Sequence, residues 1–109
     1  MLNQQHTYRV TVRGRFDQLT DAARTALLGA ADQHHIFNAA YTQDGTFTYN
    51  RDLRVFDFRY LMVVEDDERA VAERAKQRAI ATLTAGGYGY TNLTVSVLNM
   101  ADVKIRRRA

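Results

Sequence analysis

The sequence predicts an α+β fold of the ferredoxin-like class, a two-layer sandwich in which two helices cover one face of a mainly antiparallel sheet of four or five strands. Apolar residues alternate with polar residues in several segments, as in strands, and recur at helical spacing in two others. The segments follow the order strand, helix, two or three strands, helix, strand, which is the split βαβ arrangement. The 109 residues suit a single domain, expected at residues 7–103, with a basic C-terminal tail at 104–109.

The first strand is predicted at residues 8–16, where tyrosine, valine and phenylalanine alternate with threonine and arginine. Because successive side chains of a strand face opposite sides of the sheet, this segment is expected to be buried on one face only. A helix follows, with Thr20 as its N-cap and Asp21 in its positive first turn, and residues 33–35 are expected to close it. Its buried stripe is expected to contain Ala23, Leu27, Ala30 and Ala31.

The middle of the chain carries a hairpin signal. Residues 36–41 and 46–49 flank a turn whose Gly45 accepts positive φ without a Cβ clash. A long strand is predicted at residues 54–65, and its second half is apolar on both sides, which favours a central position in the sheet. The plain ferredoxin-like order has two strands between its helices, so residues 36–41 are either an edge extension or an added strand of altered direction.

The second helix is predicted to begin at residues 66–68, where three acids favour the positive end of a helix. Gly86 and Gly87 are expected to end it in the left-handed conformation. Its inner stripe is expected to contain Val71, Ala75, Ala79, Thr82 and Leu83. A last strand is predicted after the glycines, with apolar residues at Leu93, Val95 and Val97 between Thr94 and Ser96.

Composition excludes several kinds of site and location. The chain has no cysteine, which rules out disulfides, thiolate metal sites and cysteine nucleophiles. Its longest apolar run, residues 60–64, is much shorter than the roughly 20 residues that span a bilayer. Residues 1–6 lack the basic start and apolar stretch of a signal peptide. We therefore expect a cytoplasmic protein with no membrane partner.

The net charge of +3 arises at the end of the chain. Residues 104–108 supply four of the fifteen basic residues, and without them eleven basic residues face twelve acidic ones. A protein that binds nucleic acid normally carries its positive excess on the folded surface that meets the phosphates. The charge distribution therefore disfavours nucleic acid as a partner.

The alternation also assigns residues to the sheet face that the helices would leave uncovered, which we call the open face. It is expected to be basic and hydroxylated, with Arg9, Thr11, Arg13, Arg15, Thr46, Thr48, Asp57, Arg59, Thr94 and Ser96. RNA-recognition domains of this general fold carry stacking aromatics on that face. Here the strand aromatics are expected to point inward, which disfavours RNA recognition.

The open face has three interpretations. The first, which we favour, is a solvated surface whose arginines pair with Asp57. The second is a shelf for an anionic small molecule, because arginine binds carboxylate or phosphate in bidentate geometry. The third is a two-fold dimer interface, either through the whole face or through its end at Leu61, Val63 and Leu98.

A pocket between helices and sheet is the leading candidate for a ligand site. The expected ligand-binding residues are Arg13, Tyr49, Phe58, Tyr60 and Tyr88. His35 and Tyr49 are the candidate catalytic residues, since histidine is a natural general base near neutral pH. A structural role is nevertheless favoured for His34 and His35, because a cationic histidine at a helix C-terminus interacts well with the helix dipole.

Neither a metal nor a cofactor is expected. No further histidine or acid stands at metal-ligand spacing from His34 and His35. The glycine-rich segment at residues 86–90 follows a helix instead of preceding one, so a bound anion would meet the negative end of the dipole. We interpret this segment as a helix stop whose Tyr88 and Tyr90 pack over the edge of the core or line the rim of a pocket.

Several short segments form a distinctive set: Tyr8-Arg9-Val10 with Arg13-Gly14-Arg15-Phe16, Gly45-Thr46-Phe47-Thr48-Tyr49, Gly87-Tyr88-Gly89-Tyr90 and Asn99-Met100-Ala101. In these segments the chain resembles a family of small actinobacterial proteins of unassigned function, over nearly its whole length. The resemblance implies a self-contained domain and transfers no catalytic residue. Residues 103–105 depart from the tryptophan-bearing ending of that family.

These observations lead to two hypotheses of function. The first is a small-molecule-binding ferredoxin-like protein, such as a cofactor-independent enzyme or an accessory protein of specialised metabolism, acting as a homodimer. The alternative is a noncatalytic oligomeric or protein-interaction module that uses the open face. A cavity holding His35 or Arg13 would favour the first hypothesis, whereas a closed apolar core at Tyr49 and Tyr88 would count against an enzyme.

Overall fold

The computed structural model describes residues 5–35 and 39–102 of the chain. The predicted tail at residues 104–109 lies outside the described residues. The α+β class is confirmed, and the elements are β1 (His6–Phe16), α1 (Asp21–Gly29), β2 (Thr46–Tyr49), β3 (Val55–Val64), α2 (Glu68–Gly86), β4 (Tyr90–Asn99) and a 3-10 turn at Met100–Asp102.

The four strands form an open, antiparallel sheet in the order β2-β3-β1-β4. β1 and β3 occupy its centre, as the long apolar stretch of β3 indicated. Val12 of β1 lies opposite Phe58 of β3 on one side and opposite Val95 of β4 on the other. Because residues directly opposite one another point to the same face, these side chains form one layer, which we call the core face.

The core joins alternate residues of β1 and β3, and Tyr49 of β2, to one residue of α1 and one stripe of α2. The buried strand residues are Tyr8, Val10, Val12, Phe56, Phe58, Tyr60 and Met62. The buried helix residues in the same cluster are Leu27, Val71, Ala75, Ala79 and Leu83. Thr82, expected in the second stripe, is exposed instead. The buried positions of α2 advance by four residues, and Thr82 falls beside that line.

The predicted N-cap Thr20 is confirmed, and the N-cap of α2 is Asp67, within the acidic segment predicted to begin that helix. The hydroxyl of Thr20 accepts the backbone N–H of Ala23, and the carboxylate of Asp67 accepts that of Ala70. Gly87 closes α2 in the left-handed region, with φ of 72°. α1 ends at Gly29, earlier than expected, and residues 31–34 continue as turns.

The hairpin predicted before β2 is not formed over the described residues. Residues 36–38 lie outside the described residues, and residues 39–41 form no strand. Thr42 makes an isolated parallel bridge with Tyr60, and its carbonyl accepts the N–H of Leu61 at 2.8 Å. A turn then closes at Gly45, whose missing Cβ leaves room for the ring of Tyr60. The predicted turn is therefore present, and it packs on the ring of Tyr60. Residues 39–41 before it do not pair with β2 as an antiparallel strand.

Candidate functional site

The aromatic residues predicted to line a ligand pocket are mostly packed in the core. Tyr49, Phe58 and Tyr60 are each at most 4% exposed. The hydroxyl of Tyr49 donates to the carbonyl of Leu27 at 2.6 Å. Tyr88 is half-buried, and its ring lies 6.4 Å from that of Phe47 in a stacked arrangement.

The two histidines after α1 have different surroundings. His35, the predicted catalytic candidate, is exposed, whereas His34 is half-buried. The ring of His34 stacks on Tyr49 at 5.4 Å, and its Nδ1 lies 2.8 Å from the carbonyl oxygen of Phe47. A carbonyl oxygen only accepts, so this contact places the proton of the neutral ring on Nδ1. Position 34 continues the helical spacing of Leu27, which is the signal that could have identified it.

The hydroxyl of Tyr49 acts as a hydrogen-bond donor in the core. Burial, with a smaller contribution from Tyr88, raises the pKa of the Tyr49 hydroxyl above its ordinary value. A raised pKa disfavours the phenolate, and the proton already bonds the carbonyl of Leu27. These contacts fix the ring between β2 and α1.

Arg13, the remaining predicted ligand-binding residue, lies on the other face of the sheet. Its Nε donates to one carboxylate oxygen of Asp57 at 2.7 Å, and its Nη2 donates to the other at 3.1 Å. The strand register places the two residues directly opposite each other on β1 and β3. The hydrogen bond to Asp57, reinforced by the charge of that carboxylate, raises the pKa of Arg13.

Asp57 also binds a second arginine. Nη2 of Arg59 donates to Asp57 at 3.3 Å, and Nη1 of Arg59 donates to the hydroxyl of Thr48 at 3.4 Å. The side chains of Asp57 and Arg59 are 12% and 17% exposed, whereas that of Arg13 is 60% exposed. A carboxylate this deeply placed is costly unless it is paired and hydrogen-bonded, and two guanidinium groups supply both. The predicted pairing of open-face arginines with Asp57 is therefore present.

Tyr41 adds a wall that the sequence did not indicate. Its hydroxyl is hydrogen-bonded to that of Thr11 at 2.8 Å. The guanidinium carbon of Arg9 lies 5.3 Å from the centre of its ring, and that of Arg59 lies 6.0 Å from it. Tyr41 thus brings the connection between α1 and β2 onto the open face.

An open pocket of about 360 Å³ lies on this part of the open face, and we call it the arginine shelf. Its lining residues are Thr11, Arg13, Tyr41, Arg59, Thr94 and Ser96. A second pocket of about 240 Å³ borders Arg13 on its other side and also includes Tyr49 and Asp57. Two predicted ligand-binding residues, Arg13 and Tyr49, therefore line this second pocket together, whereas only Arg13 lines the shelf.

Comparison with known proteins assigns the chain to a family. A model of a family of unknown function (DUF6204) matches residues 1–109. The chain belongs to that family. No curated protein and no solved structure matches this DUF6204 chain.

The ionised side chains at the shelf carry more positive than negative charge. Arg13 and Arg59 both bind the carboxylate of Asp57, so these three side chains together carry one net positive charge. Among the described residues, no three histidine or carboxylate side chains lie together in a way that could hold a metal ion. Neither helix in this part of the DUF6204 chain is long and apolar enough to cross a membrane.

Proposed function

We propose that this DUF6204 protein binds a small, hydroxylated carboxylate at the arginine shelf. The observation that carries the proposal is the Arg13–Asp57–Arg59 arrangement beneath a pocket of about 360 Å³. That volume lies within the range of roughly 300–1,000 Å³ that is common for small-molecule sites.

Asp57 orients the two arginines before any ligand arrives. It binds Nε and Nη2 of Arg13, and Arg59 is further held by Thr48. A guanidinium that is already ordered loses less side-chain entropy when it binds an anion. Arg13 is mostly exposed, so a carboxylate can approach it from the pocket.

Hydroxyl groups on neighbouring strands supply the second part of the recognition. Thr94 and Ser96 of β4 line the shelf on one side, and the hydrogen-bonded pair of Thr11 and Tyr41 lies across from them. Such groups both donate and accept hydrogen bonds. They fit a ligand that carries alcohol groups beside its carboxylate.

The proposal favours a binding role. The ionisable groups that line the shelf are two arginines and a tyrosine, and an arginine does not exchange protons near neutral pH. Catalysis by His35 or Tyr49 stays a prediction from the sequence, as do a homodimer, a cytoplasmic location and an actinobacterial source.

We further infer a ferredoxin-like topology with both helices on one face. Support comes from the succession β1-α1-β2-β3-α2-β4, from the strand order, and from the single core cluster shared by α1 and α2. In that arrangement the open face is the accessible side of the sheet, and the shelf lies on it.

A calorimetric titration tests the proposal. The purified protein is titrated with lactate, malate, citrate and inorganic phosphate, and we expect at least one hydroxycarboxylate to bind better than phosphate. R13Q should weaken that binding by at least about tenfold, because a hydrogen bond to a charged group contributes roughly 1.5–3 kcal/mol. R13K should recover only part of the loss, since lysine lacks the bidentate fork.

The matched control is R54Q, which removes an exposed arginine that does not line the shelf. Equal losses in R13Q and R54Q would mean that general positive charge, and not the shelf, attracts the anion. Failure of all four ligands to bind at millimolar concentration would reject a hydroxycarboxylate site.

A further inference from the structure

β4 is a long sheet edge without the usual protection. It spans ten residues, and within the described residues it pairs with β1 alone. Its sequence from Tyr90 to Asn99 contains neither a charged residue nor a proline. Sheet edges in monomeric proteins are commonly shielded by lysine, proline or short length, because unpaired backbone groups are a template for another strand. The other edge, β2, is only four residues long.

The core face is also incompletely covered at β4. The inward side chains of Leu93, Val95 and Val97 are half-buried, whereas Val10 and Val12 in β1 have no exposed surface. A groove of about 560 Å³ lies between β4 and α2, with Val95, Ala70 and Ala72 among its lining residues. Within the described residues, apolar surface therefore stays in contact with water beside the outer edge of β4.

We propose that β4 pairs with β4 of a second copy of this chain around a two-fold axis. The two sheets then form one continuous antiparallel sheet, and the two α2 helices approach each other over the groove. Thr94 and Ser96 of β4 also line the arginine shelf, but the pairing uses the backbone edge of β4 and the groove on the core face, so the proposal does not depend on the proposed function.

The charges at the groove favour a second copy as the occupant. Its rim carries two acids, Asp67 and Glu73, and two bases, Arg69 and Lys76, on the same stretch of α2. A two-fold axis runs the two helices antiparallel and brings the acids of one copy towards the bases of the other. The rim is therefore complementary to itself, whereas a strongly acidic or basic partner would meet like charges.

The small residues in the groove permit the approach. Ala70 and Ala72 place only methyl groups between the rim charges. Residues directly opposite one another in an antiparallel pair point to the same face. The inward residues of β4 in one copy therefore meet inward residues in the other, and each copy covers the apolar surface that its partner leaves half-buried.

Sedimentation equilibrium of the full chain tests the interface. We expect the wild-type protein to show twice the chain mass of 12.4 kDa. E73K makes the rim mostly basic and should weaken association at least about tenfold, because two-fold symmetry introduces each like-charge contact twice. In the antiparallel arrangement Glu73 of one copy faces Arg69 of the other, so the double variant R69E/E73K restores opposite charges there and should recover most of the affinity.

The control variant R24E reverses an exposed charge on α1 and should leave the dimer unchanged. Circular dichroism shows whether each variant keeps its helix content, so that loss of association is not mistaken for unfolding. A wild-type protein that stays monomeric at the highest concentration measured would overturn the proposal. So would equal weakening by E73K and by the double variant.

The lack of native cysteine allows a second test. Cysteines are placed singly at Thr91, Thr94, Ser96 and Leu98 along β4, and at Arg15 on the open face. Under mild oxidation we expect disulfide-linked dimers from the β4 position nearest the two-fold axis. Cross-linking at Arg15 with none along β4 would place the interface on the open face and overturn the proposal.

Discussion

Asp57 shows how one buried charge organises a surface. Its carboxylate binds both Arg13 and Arg59, and neither arginine has another acid as a hydrogen-bond partner among the contacts of the shelf. The structure also contains an exposed ion pair of the same chemistry, Asp32 with Arg51, in which the aspartate side chain is 91% exposed. Comparing these two ion pairs therefore shows how much burial of the aspartate adds to the stabilising effect of its charge.

We expect D57N to lower the free energy of unfolding by about 1–3 kcal/mol, because it leaves Arg59 largely buried with a neutral partner. The matched variant D32N should change it by less than about 0.5 kcal/mol, as exposed pairs contribute little. Urea unfolding of both variants measures the difference. Equal effects would mean that the Asp57 cluster stabilises no more than a surface ion pair.

The residues of the site were predictable to different degrees. Strict alternation placed Arg13, Asp57 and Arg59 on one face, because side-chain direction in a strand depends only on parity. Tyr41 reaches that face through the bridge of Thr42 to Tyr60, a contact between distant parts of the chain that no local pattern encodes.

At the scale of the elements, the starts of both helices and the end of α2 were the most predictable features, whereas α1 ends earlier than predicted. The N-caps Thr20 and Asp67 and the glycine stop of α2 depend on local hydrogen bonds and backbone angles, which the sequence specifies directly. The strand expected at residues 36–41 was wrong over its described part. An apolar run beside a turn also fits an irregular segment whose course is set by Tyr60 and Gly45.

Two glycines isolate the backbone contribution to helix ends. A Cβ added at Gly87 or at Gly29 meets no atom within 4 Å, but only Gly87 has positive φ. G87A should therefore destabilise the protein by about 1 kcal/mol through backbone strain alone. G29A should stabilise it by roughly 0.4–1 kcal/mol, because alanine restricts the unfolded chain.

Thermal unfolding of G87A and G29A under identical conditions measures these two changes in stability. Shifts of the same sign in both variants would contradict the assignment of the left-handed conformation to Gly87 as the end of α2.

At the scale of the whole molecule, the buried tyrosines make stability depend on alkaline pH. Burial, partly offset by Arg78, raises the pKa of Tyr60 to about 12. The unfolded chain ionises this group near pH 10, so its contribution is complete below that pH and is lost as the pH rises towards 12. We expect the free energy of unfolding to fall by about 1–2 kcal/mol across this interval.

Y60F removes the ionisable group and should flatten that decline, leaving the smaller effect of Tyr49, whose pKa is also raised. Urea titrations at several pH values between 9 and 12 give the slope for each protein. An unchanged slope in Y60F would show that another group governs alkaline unfolding.

Among the described residues that line the arginine shelf, Tyr41 is the one that does not belong to a strand. The floor of the shelf comes from β1, β3 and β4, while one wall comes from Tyr41, which lies outside the helices and strands. Substitutions at Tyr41 can reshape the wall without disturbing the strand register or the Asp57 ion pairs. Under the proposed function, a change at Tyr41 would therefore alter which ligand fits the shelf, while Arg13 and Arg59 would still bind the negative charge of the ligand.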